Sequence, residues 1–152
     1  MKMTSNAFNS NTEIALRILL SLYASEESLS VDELVILDFV TIYAKDFGIS
    51  SYNLHGENKS KESEFAARRQ QVKEAIRFLV TQDYIDVEEA ETGFLFSINQ
   101  KGSTLCDVLE SNYAADYTAA ASKAAEYIKH HDLENLLSSI NRKALNFHKE
   151  GK

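Results

Sequence analysis

Arg69, Lys73 and Arg77 recur every four residues in a stretch of helical periodicity, so they form a single cationic stripe. Such a stripe can meet phosphates or an acidic protein surface; laced with Glu62, Glu64 and Glu74, it can equally be a solvated face. Arg68 differs, because it lies near the line from Phe65 to Val72, where a partly covered guanidinium must be pinned by a carboxylate or carbonyl. His55 sits in a polar loop just after Leu54, with Leu54 as the anchor that docks the loop and the imidazole either structural or presented to a partner. The other reactive side chains read as structure. Cys106 lies among Leu105, Val108 and Leu109, the setting of a buried thiol rather than a nucleophile. His130 and His131 are adjacent and point to different sides of a helix, unlike the four-apart pair that holds zinc. No phosphate loop ending in Lys-Ser or Lys-Thr and no Gly-x-Ser-x-Gly elbow is present. The expectation is a protein that is not an enzyme and takes no cofactor or metal.

The elements that position these residues can be read from periodicity and caps. With no proline and only five glycines in 152 residues, long helices are favoured. A first helix after Asn11-Thr12 places Ala15, Ile18, Leu19 and Leu22 on one face, and the polar run 25–28 ends it. Ser30 and Glu33 form a capping box for a second helix, apolar on more than one side, which Gly48 stops. A polar loop over 49–60 leads to a third helix, 61–82, with Val72, Ala75, Ile76 and Leu79 on its buried stripe. A hairpin follows, its strands near Tyr84–Val87 and Phe94–Ile98 and its turn at Glu91-Thr92-Gly93. A short helix spans 99–110. Two amphipathic helices, 112–129 and 132–149, close the chain. Tyr113, Tyr117, Ala120, Ala124 and Tyr127 form a packing seam on the first of them, and Tyr113, Tyr117 and Tyr127 are either core or partner-facing.

Helices running into a hairpin give the order of a winged helix-turn-helix. The fold class expected is therefore mainly α with a small β-hairpin: a flexible start over 1–10, a winged-helix-like domain over 11–110 and a C-terminal helical extension over 112–150. Hydrophobic residues make up 44% of the chain and charged ones 26%, as in a folded domain. The run Ile14–Tyr23 contains Arg17 and is too short to span a membrane, and a single cysteine gives no disulfide, so the expected setting is the cytoplasm.

Charge bears on whether this order reads DNA. The net charge is −7. Residues 59–77 hold six basic side chains against three glutamates, about +3 by that count. The hairpin carries Asp83, Asp86, Glu88, Glu89 and Glu91 with no basic residue among them. Carboxylates on a wing repel the phosphate backbone it would lie along, which favours a protein partner. A stand-alone regulator binding DNA through helix 61–82 is the alternative.

Several motifs in order resemble the middle component of bacterial ABC-three-component systems, which include the small accessory subunit of Lamassu-type anti-phage defence. They are Leu34–Asp38 near a helix end, Ser51–His55, Arg68-Arg69, Ala75–Leu79, Tyr84-Ile85, Gly93-Phe94 and Leu109–Tyr113, together covering about 11–128. The family loop reads Ser-Leu-His-Pro, whereas here Asn53 precedes Leu54 and Gly56 follows His55. The resemblance implies a non-catalytic scaffold subunit that bridges or restrains an SMC- or Rad50-like ATPase and an effector, often a nuclease. It implies DNA contact only through the complex, with no membrane and no small-molecule substrate. The residues expected to meet partners are Leu54, His55, Arg68, Arg69, Lys73, Arg77, Tyr113, Tyr117 and Tyr127.

Overall fold

Ser10 opens the first helix: its hydroxyl accepts from the Glu13 amide at 3.2 Å. The cap thus falls one residue before the Asn11-Thr12 pair, and α1 spans Asn11–Ser25. The computed structural model describes residues 10–54, 61–136 and 138 of the chain. Ile14, Ala15, Ile18, Leu19 and Leu22 are buried, as their spacing requires. Glu26 ends α1 in the left-handed region (φ 56°), its amide donating to the Leu22 carbonyl. Leu29 then pairs with Phe96 through two backbone hydrogen bonds, 2.9 and 2.8 Å, before the Ser30–Glu33 capping box starts α2, Val31–Ile42.

Every residue of α2 from Leu34 to Ile42 is buried, so this helix runs through the middle of the molecule. It does not continue to Gly48 as its periodicity suggests. The α-helix stops at Tyr43, and a single 3-10 turn, Ala44–Phe47, leads to Gly48 (φ 72°). The returning chain takes carbonyls that a longer helix would use: Ile49 donates to Ala44 and Leu54 to Ile42. Asn53 reinforces the bend by accepting from the Lys45 amide at 3.0 Å.

Helix α3 is Lys61–Thr81, and β1 (Ile85–Ala90) and β2 (Gly93–Ile98) form an antiparallel pair in register from Ile85↔Ile98 to Ala90↔Gly93. Gly93 (φ 126°) supplies the positive angle at the turn. Asn99 caps α4, Gln100–Asp107, and Ser111 caps α5, Asn112–Lys129. Helices α3 and α5 both pack on α1 and α2, so that pair lies between them. Tyr117, Ala121 and Ala124 of α5 are buried in the same apolar cluster as α1, α2, α3 and the hairpin. Small residues let α5 approach closely, and it walls the core rather than hanging from it. One helical turn, Leu133–Leu136, follows; the remainder of the expected helix 132–149, residues 1–9 and His55 fall outside the described residues, apart from Ser138. Among the described residues the architecture is mainly helical with one two-stranded sheet, and no helix is long and apolar enough to cross a membrane.

Helix α4 presses its backbone onto the base of the hairpin at Gly102. A Cβ there would lie 2.4 Å from the Tyr84 carbonyl oxygen and 2.7 Å from Ile98 Cγ1. Gly102→Ala should therefore cost about 1–3 kcal/mol through overpacking, read as a lower urea midpoint. An unchanged midpoint would contradict the close approach of α4.

Candidate functional site

The polar residues of this chain fall into an interior cluster and an outer face. Inside, Asp38 on α2 is fully buried and receives donors from three other helices. Arg17 of α1 grips it with Nε to Oδ1 at 3.0 Å and a second nitrogen to Oδ2 at 3.2 Å. Arg68 of α3 donates to Oδ2 at 2.5 Å, and the Tyr117 hydroxyl of α5 donates to Oδ1 at 2.6 Å. Ser21 lies 2.8 Å from the same hydroxyl, and the Arg68 guanidinium sits 5.8 Å from the centre of the Phe39 ring. Arg68 and Tyr117, expected to meet partners, are both buried, and each donates to Asp38 inside the chain. The carboxylate expected to pin Arg68 is Asp38.

Burial alone would disfavour the charged Asp38, but the Arg17 and Arg68 charges and the hydrogen bonds from Arg17 and Tyr117 outweigh it and hold the carboxyl well below its usual range. Desolvation works against the Arg17 cation too, and the Asp38 charge and hydrogen bond reverse that, leaving it firmly protonated. Burial and the Asp38 charge drive the Tyr117 hydroxyl far above its ordinary value. Asp38 therefore stays ionised and Tyr117 protonated around neutral pH, and neither is poised for proton transfer. Desolvation likewise pushes the Cys106 thiol up to about 11, against nucleophilic use. Among the described residues no group of His, Cys, Asp or Glu side chains could hold a metal ion.

Outside, α3 and the hairpin enclose an open groove of about 490 Å³. Ile76, Val80 and Phe96 line its apolar floor, and Val87 and Phe94 stand at its mouth, 49% and 58% exposed. Lys73 and Arg77 form the α3 wall, and among the described residues neither is in an ion pair. Arg69 is spent differently: it pairs with Asp32 of α2, both side chains exposed. Asp83, Asp86, Glu88, Glu89 and Glu91 are all exposed along the hairpin. The structure thus brings two of the three stripe cations together with an apolar edge and an acidic tip.

Other expected contact residues lie elsewhere. Leu54 is half-buried against the core. Tyr113 is half-buried, its ring 6.3 Å from that of Tyr117, and burial raises its hydroxyl pKa. Tyr127 stacks on His131 at 3.9 Å and meets the Phe47 ring edge-on at 6.0 Å. Spacing alone does not mark Asp38 and Arg17 as a pair. The signal was present, since each is a lone charge within an otherwise apolar helix face.

A family model described as the middle component 2 of ABC-three-component systems matches residues 7–150. No curated protein and no solved structure matches the chain. The match spans nearly the whole sequence, and the chain belongs to this family, whose place in a multi-subunit system implies protein partners.

The interior cluster has a measurable pH signature. Because the Asp38 pKa is depressed on folding, its contribution is complete above the unfolded carboxyl value, about 4, and is lost as pH falls through the folded value. Asp38→Asn should cost about 3–5 kcal/mol at neutral pH by leaving buried arginines uncompensated. It should also flatten the decline in stability below about pH 4. Urea titrations of both proteins across acid pH check this; parallel pH curves would contradict it.

Proposed function

We propose that this middle component is a non-catalytic scaffold subunit of a prokaryotic anti-phage or anti-plasmid defence complex of the Lamassu kind. In it the chain bridges or restrains an SMC-like ATPase and an effector nuclease in the cytoplasm. Family membership supports the multi-subunit setting. The arrangement of elements supports a winged-helix reading: α1, the Leu29 bridge to β2, α2, α3 and then the hairpin, with the bridge standing where a third strand would pair.

The observation that carries the choice of protein over DNA is the acidic hairpin beside α3. A duplex laid against Lys73 and Arg77 would bring its phosphates to Glu89 and to Glu91 at the turn, both exposed. Exposed Val87 and Phe94 at the same place suit a protein surface better than a phosphate backbone. On this reading Arg69, Lys73, Arg77, Leu54, His55, Tyr113 and Tyr127 are the contact residues, and Arg68 and Tyr117 hold the fold that presents them. DNA binding through α3 is kept as the second reading because Lys73 and Arg77 have no ion pair within the described residues.

Co-expression with the proteins encoded beside it, followed by size exclusion with light scattering, tests the proposal. The expected result is one large species containing this chain and the ATPase; subunits that elute separately would overturn it. The second reading predicts duplex binding that falls steeply with salt and vanishes in Arg69→Glu/Lys73→Glu. We expect only weak binding, unchanged in that variant.

A further inference from the structure

We infer that the face formed by α3 and the hairpin tip pairs with the same face of a second copy of this chain. The inference rests on one part of the reading above, that this face meets protein rather than a duplex, and it names that protein. Glu89 is directly cross-strand from Phe94, so carboxylate and aromatic ring project from one side of the sheet. That side also carries Val87 and Phe96 and faces the groove walled by Lys73 and Arg77. One patch therefore holds an apolar tip, a carboxylate beside it, an apolar groove and two cations with no ion pair among the described residues.

These features are the two halves of a self-complementary surface. A two-fold axis near Phe94 would seat each tip over the other copy's groove and bring each Glu89 to the opposite Lys73 and Arg77. An isologous contact needs this reciprocity, in which what one copy offers at one point the other receives at the same point. An acidic partner of another kind would satisfy the cations and leave Glu89 unmatched. Each copy bears a net charge of −7, which opposes approach, so Phe94 and Val87 supply most of the affinity and the charges fix the register.

Sedimentation velocity over a concentration series tests the pairing on the full chain. The wild type is expected to be a reversible dimer. Phe94→Ser should raise the dimer dissociation constant about tenfold or more. Glu89→Lys alone and Lys73→Glu/Arg77→Glu alone should each raise it about tenfold through like charges across the axis. Combining all three substitutions should bring it back toward the wild-type value. The substituted side chains are exposed, so thermal melts should confirm folded variants. A wild type that is monomeric throughout, or a dimer indifferent to these substitutions, overturns the inference. Loss of the large co-expressed species in Lys73→Glu/Arg77→Glu, with a wild type that is monomeric alone, would also overturn it and assign the face to another subunit. The scaffold proposal stands or falls separately, on whether the wild type joins that species.

Discussion

A single buried carboxylate sets the geometry of this molecule. Asp38 is reached by donors from α1, α3 and α5, and none of those helices can rotate or slide far without breaking a charged hydrogen bond in a region from which water is excluded. Replacing such a cluster by apolar residues of similar shape can be neutral or stabilising, so its value lies less in net stability than in excluding other packings. Leu and Ile interdigitate in several ways; an Arg–Asp–Arg–Tyr junction has few satisfactory arrangements. That constraint also reaches the surface. With Arg68 pinned inward alongside Val72, Ala75 and Leu79, α3 has one rotation, and Arg69, Lys73 and Arg77 must point out.

The hairpin is held at its base and free at its tip. Ile85 is buried and Phe96 nearly so, with Gly102 letting α4 close against the adjoining chain and Leu29 pairing on the other edge. Further out, the same face of the sheet continues as Val87 and Phe94, which none of the described residues covers. An apolar strand face that outruns its own core, next to Lys73 and Arg77 with no ion pair among the described residues, is what the proposed protein contact rests on.

Much of this was legible in the residues. The Ser30–Glu33 box, the α3 stripe, the turn at Gly93 and the burial of α2 on several sides are local, and local sequence determines them. The break after Ile42 was not, because Asn53 and the amides of Ile49 and Leu54 decide it from further along the chain. Nor was the inward direction of Tyr117: its seam fits a core or a subunit contact equally, and only the Asp38 carboxylate 79 residues away chooses between them. Arg17 and Asp38 show the same limit. A lone charge on an apolar face says that a partner exists, while the partner's identity depends on tertiary packing.

The claim that the interior is scaffold and the α3–hairpin face is where this chain meets protein can be tested most directly by amide hydrogen exchange. The protein would be compared alone at high dilution and in the complex assembled with its co-encoded subunits. The account predicts slow exchange around Arg17 and Asp38 in both states, with new protection on assembly at residues 73–81 and 85–96. Protection that instead appears around Asp38, with the hairpin tip exchanging as before, would contradict it.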